Sequence, residues 1–188
     1  MRKVLICFLL VLVTACVSSK PNRFYSLASN EPAGADVVTK KLLVGIDTVS
    51  VPGYLERPQI VTIKNNSELN LAEFDRWAEP ISNALQRIIA SNMSSVMKNA
   101  MVKPASVNRR SFNYIVSVEF NKLDGRFNDK VLLEAWWTVV DNNGRIVVNE
   151  TSRYEAPLGD NYDELVEKQS ELVSKLSVDI AKRIGRLK

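Results

Sequence analysis

Hydrophobic residues along this 188-residue chain fall into three patterns: one unbroken apolar run, several alternating stretches, and two stretches at helical spacing. The unbroken run is residues 4–13, directly after Arg2-Lys3. Ordered structure is expected to begin at Arg23-Phe24-Tyr25-Ser26-Leu27, with a Pro- and Gly-containing loop at 28–35. Residues 42–51, rich in Val and Ile, predict a strand that Pro52-Gly53 ends. A strand at 59–63, a turn at 64–67 and a short return strand at 68–71 follow. Trp77-Ala78-Glu79-Pro80 opens a helix, with Pro80 in the first helical position, where its missing N–H costs nothing. Ile81, Leu85, Ile88, Ile89, Met93, Val96 and Met97 then recur at helical spacing and form a core face.

The second half is a meander and a helix. Phe112, Tyr114, Val116, Val118 and Phe120 alternate onto one face of a strand at 112–122. A second strand at 130–140 carries Trp136-Trp137, whose indoles must point to opposite faces. Asp141-Asn142-Asn143-Gly144 is a hairpin turn, since Asn and Gly tolerate positive φ. The chain returns as a third strand at 145–154, and Pro157-Leu158-Gly159 breaks it. Asn161, with Glu164 three residues on, has the spacing of a capping box. Leu165, Val166, Leu172, Val173, Leu176, Ile180, Ile184 and Leu187 define an amphipathic last helix, whose final basic residues suit its dipole. The expected fold is α+β: an antiparallel or mixed β-sheet with two long amphipathic helices packed on one face.

The run at 4–13 has a different reading. It is about half the roughly 20 residues a membrane-spanning helix needs. A basic start, a short apolar region and small residues before a cleavage point make a secretory signal. Here the small residues Thr14 and Ala15 stand directly before Cys16, so Val13-Thr14-Ala15-Cys16 has the form of a bacterial lipobox. An ordinary cleaved signal that happens to contain Cys, or a buried apolar helix, is the competing reading. In a lipobox the chain is cut before the Cys, which carries the acyl chains; two or more such chains anchor stably. The expected organisation is a lipoprotein signal at 1–15, lipidated Cys16 and a short tether at 16–22, and one α+β domain at 23–188. Val17, where an Asp would commonly retain a lipoprotein in the inner membrane of enteric bacteria, points instead to the outer membrane.

Composition removes much chemistry. The net charge of +4 falls to +2 once Arg2 and Lys3 are gone, too weak to argue for nucleic acid. Cys7 lies inside the signal, so the mature chain has one cysteine and no intramolecular disulfide. The chain has no His, which removes the usual residues of zinc sites, Ser-His-Asp triads and Cys-His dyads. Glu73, Asp75 and Glu79 around Trp77 are candidate acids, better read as surface or capping residues. Asp47, Asp124 and Asp129 are too scattered for a calcium loop. No phosphate-binding or dinucleotide motif is present. Neither enzymatic activity nor a cofactor or metal is expected. Arg109-Arg110 are read as a solvated loop, with lipid headgroups or an acidic partner as the functional alternative. Contact surfaces are the remaining possibility. The outward member of Trp136 and Trp137 is one, since Trp anchors interfaces, unless helices and loops cover both within the monomer. Tyr54-Leu55, stiffened by Pro52, Gly53 and Pro58, is another, unless both simply plug the end of the fold.

Several stretches together resemble one family. These are Phe24-Tyr25-Ser26-Leu27 soon after Cys16, Val44-Gly45-Ile46, the segment from Val51 through Tyr54-Leu55-Glu56-Arg57-Pro58-Gln59 to Val61, and Phe74-Asp75-Arg76-Trp77-Ala78-Glu79-Pro80. The chain is similar over essentially its whole length to the ABC-type transport auxiliary lipoproteins. That resemblance implies a non-enzymatic outer-membrane lipoprotein whose domain faces the periplasm. It would dock the periplasm-spanning MCE-domain protein of an intermembrane phospholipid transport system. It carries over no catalytic residue; Cys16 is the one site it transfers. A structural lipoprotein of another envelope assembly is the alternative that the residues alone leave open. A closed homo-oligomer is expected, to match a symmetric partner.

Overall fold

The computed structural model describes residues 20–30, 41–65, 67–105 and 108–187. The expected signal at 1–15, the expected lipobox with Cys16, and most of the loop expected at 28–35 lie outside the described residues. The sheet is built on the long strand β6, Tyr114–Gly125, because strands attach to both of its edges. On one edge the meander continues antiparallel as expected, through β7 (Asp129–Asp141) and β8 (Ile146–Leu158). Gly144 adopts φ +80° in the β7–β8 turn, and Asp141 Oδ1 accepts hydrogen bonds from the N–H groups of Asn143 and Arg145, both at 2.9 Å.

The other edge of β6 is shared. Strand β2 (Leu42–Ile46) lies parallel to its start, beside Tyr114–Val116. Strand β3 (Gln59–Ile63) lies parallel to its end, with Thr62 opposite Gly125. Outside β3 come β4 (Leu69–Trp77, antiparallel) and β1 (Arg23–Tyr25, parallel to β4). Outside β2 comes β5 (Ala100–Pro104, parallel). Parallel neighbours need a crossover connection; β2 reaches its parallel neighbour β5 by way of β3, β4 and helix α1 (Ile81–Val96), which lies between β4 and β5 in the chain. Helix α2 (Tyr162–Gly185) follows β8 and packs beside α1.

Both helices cover one face. Leu85, Ile89, Met93 and Met97 meet Leu165, Leu172, Leu176 and Ile180 in one cluster with Val116, Val118, Phe120, Leu133, Trp137 and Val139 of the sheet. The mixed sheet with its two helices is the expected α+β fold. Leu27 enters the same core, and the residues after it lie across both helices. Ser170 Oγ accepts from Ala28 N at 3.1 Å, Ser174 Oγ donates to Asn30 O at 3.0 Å, and Ser29 Oγ donates to Asn92 Oδ1 at 2.7 Å. These bonds engage Asn92, Ser170 and Ser174, polar residues on otherwise apolar helix faces, since buried polar groups need partners.

Four elements differ from expectation. Strand β2 stops at Ile46; past it Asp47 N donates to Val116 O at 2.8 Å and Ser50 bridges to Glu119 of β6. Strand β4 runs nine residues, to Trp77, so Pro80 is the N-cap of α1 rather than its first residue. A register shift between Gln59 and Val61 accommodates the extra β4 residues and turns Asp75 inward. Strand β5 had no clear signal, being short, largely exposed and ended by Pro104. Strand β8 continues through Pro157 to Leu158 because it is a sheet edge, where a missing N–H leaves no ladder bond unmade. The Asn161 cap is present, its side chain accepting from Glu164 N at 2.8 Å. The Glu164 carboxylate reaches Gly159 N at 3.1 Å rather than closing the box on Asn161.

Candidate contact surface

The acidic residues do not converge. Asp75 accepts from Arg23 Nε at 2.7 Å and from the Tyr25 hydroxyl at 3.1 Å. Burial and that hydrogen bond push the Tyr25 pKa up to about 12. Glu79 pairs with Arg87, and Glu73 is exposed. Arg109 is held as well: its guanidinium grips Asp47 through two bonds of 3.0 and 2.9 Å, which hold the Asp47 carboxyl below its ordinary pKa. Among the described residues no three His, Cys, Asp or Glu side chains are placed to hold a metal ion.

Tyr54 and Leu55 do not form an exposed knob. A turn closed by Leu55 N donating to Pro52 O at 2.8 Å tucks Leu55 into the core, 3% exposed. The Tyr54 hydroxyl lies 2.7 and 2.9 Å from the two Asp124 oxygens. Burial raises the Asp124 pKa, partly offset by the Tyr54 hydroxyl, and it also raises that of Tyr54. The stiff loop therefore plugs the fold, and this pair is withdrawn as a contact. The missed signal is Asp124, a buried carboxylate of β6 that needs a donor.

The two tryptophans divide as alternation requires. Trp137 is 2% exposed in the core, its Nε1–H donating to Ser152 Oγ at 3.0 Å. Trp136 is 55% exposed on the face away from the helices. It borders a cleft of about 270 Å³ lined by Asp47, Ser50, Glu119, Thr138 and Asn149. Beside it, charges alternate across three strands: Lys122 with Glu134, Glu134 with Arg153, Arg153 with Glu155, and Glu155 with Lys130. Exposed ion pairs of this kind contribute little stability, but they keep this face soluble around the single large indole.

A family model for the ABC-type transport auxiliary lipoprotein component matches residues 25–181. The intermembrane transport lipoprotein PqiC of Escherichia coli is 23% identical over 189 residues that span all of both chains. A crystal structure of a Xanthomonas campestris protein superposes with a TM-score of 0.73 at 11% identity, covering 86% of this chain and 94% of that one. A second solved structure, of a protein called uncharacterized, gives 0.72 at 21% identity, covering 88% and 99%. These two share the fold. The family match covers all eight strands but part of β1, and nearly all of both helices, so the chain belongs to the ABC-type transport auxiliary lipoprotein component family.

Proposed function

We propose that this protein is a lipid-anchored, non-enzymatic subunit of an intermembrane phospholipid transport system. In this reading it sits on the periplasmic side of the outer membrane and docks a periplasm-spanning MCE-domain protein there. The observation that carries it is the order of two features: a lipobox at Val13–Cys16, then a family match that begins at residue 25. The printed name of its Escherichia coli relative supplies the intermembrane transport role. Among the described residues no helix is long and apolar enough to cross a membrane, so the proposed attachment is through acylated Cys16. Trp136 is the proposed centre of contact with the MCE-domain protein or with further copies of this chain. Closed homo-oligomers repeat one patch around an axis, and the shared anchor raises the local concentration of weakly associating copies.

Anchoring is tested by Cys16→Ser. The expected variant takes up no palmitate label and leaves the outer-membrane fraction of a density gradient. Normal fractionation of an unlabelled variant would refute the anchor.

A further inference from the structure

Apart from Trp136, the exposed large hydrophobic side chains among the described residues are grouped at two ends of the sheet. Paired residues on neighbouring strands share a face. The pairings Phe24–Arg76, Arg76–Gln59, Val61–Leu71 and Ile63–Leu69 therefore place Phe24, Leu71 and Leu69 on one face. Ile63 lines a cleft with Leu132 and Asp124, and Leu132 shares the Trp136 face of β7, so this is the face opposite the helices. Phe24 is 66% exposed, Leu71 42% and Leu69 36%. All three lie near the Gly125 end of β6, because Thr62 pairs with Gly125. Met101 and Ile146 are exposed too but lie near the Tyr114 end. At about 3.3 Å per residue, roughly 30 Å of strand separates the two groups.

The chain's direction distinguishes these ends. Strand β1 is parallel to β4, β4 is antiparallel to β3, and β3 is parallel to β6. The chain therefore enters β1 from the Gly125 end, and Lys20 to Asn22, all exposed, lead into it. The seven residues 16–22 reach at most about 25 Å when extended. An anchor at Cys16 thus holds the Leu69–Leu71 end close to the bilayer and leaves the Met101–Ile146 end pointing away.

We infer that the end of the sheet marked by Phe24, Leu69 and Leu71 rests on the lipid surface that holds Cys16, fixing the domain's orientation. This inference rests on the proposed acylation of Cys16. Apolar side chains at the boundary leave water for the acyl region, as on interfacial helices. The opposite end, and Trp136 midway along β7, stay open to the periplasm.

Signal cleavage removes Cys7 and acylation blocks Cys16, so one introduced cysteine is the only free thiol. Phe24→Cys, Leu71→Cys, Met101→Cys and Ile146→Cys each carry a nitroxide on the mature acylated chain. The chains are reconstituted in phosphatidylethanolamine–phosphatidylglycerol vesicles. Collision with oxygen, which concentrates in lipid, is compared with collision with a water-soluble nickel chelate. The expected result is strong oxygen and weak chelate access at 24 and 71, with the reverse at 101 and 146. Chelate access at 24 and 71 equal to that at 101 overturns the inference. Weak access to both reagents overturns it too, since that marks protein contact such as a second copy. The mass of the N-terminal peptide separates the two failures. An unacylated Cys16 sinks the anchoring reading and this inference with it, whereas an acylated chain that is wet at 24 and 71 sinks this inference alone.

Discussion

Two aspartates on this fold respond to pH with opposite signs. Asp47 is held below its ordinary pKa of 3.8, first by hydrogen bonds from Arg109 and then by the Thr48 N–H. Its contribution to stability is fully present above the unfolded value and is lost as the pH falls through the lower folded value. Asp124 is the reverse: burial raises its pKa, so the fold favours its protonated form and loses that advantage as the pH rises from 3.8 through the folded value. The Asp47→Asn variant isolates the first effect. Its stability deficit against the native chain should be largest above pH 4 and shrink as the pH falls below 3.8, by urea denaturation across that range. A deficit independent of pH would mean that the Arg109 contact acts through packing rather than charge. The same residues show what alternation does and does not reveal. Asp47 reads as a scattered acid until β2 and the turn at Arg109–Ser111 bring it to Arg109, 62 residues away.

At the scale of elements, β6 comes close to Leu165 of α2 at Gly125. A Cβ there would lie 2.3 Å from Leu165 Cδ1 and 2.9 Å from Leu158 Cδ2. Gly125→Ala should cost about 1–3 kcal/mol, the usual range for overpacking. Gly53→Ala, with nothing within 4 Å of its added Cβ, should stay within about 0.5 kcal/mol, as surface substitutions do. Denaturant midpoints with an unchanged slope check both; equal midpoints would mean that Leu165 swings aside freely. The long elements were legible in the sequence because each has a long stretch that buries one face: β6 alternates up to its register shift at Phe120, β7 and β8 alternate, and α1 and α2 repeat at 3.6 residues. The elements that were not legible lack that face. Strand β4 loses its alternation at Glu73 to Arg76, where the register shift turns Asp75 inward to Arg23. Strand β5 is a five-residue edge with Met101 exposed. Such strands are fixed by the neighbours they pair with.

The whole molecule is a sheet shielded by helices on one side and partly open on the other. Of the candidate contacts, Trp136 was legible as one of two adjacent indoles forced to opposite faces. Which indole faces outward depends on where α1 and α2 pack, and no local pattern states that. Tyr54-Leu55 reads either way in the sequence, because a rigid loop looks alike whether it projects or folds inward; Asp124, 70 residues on, holds the Tyr54 hydroxyl. Trp136→Ala should leave the thermal midpoint nearly unchanged, because the side chain is more than half exposed, yet weaken partner capture if the indole sits at a contact centre. A large fall in midpoint would instead make Trp136 part of the structural packing. The central claim is docking, and affinity capture of the acylated chain from solubilised outer membranes tests it most directly. The account predicts that an MCE-domain protein co-purifies with the native chain and is depleted with Trp136→Ala. Recovery of the acylated native chain from those membranes without any MCE-domain protein would contradict it.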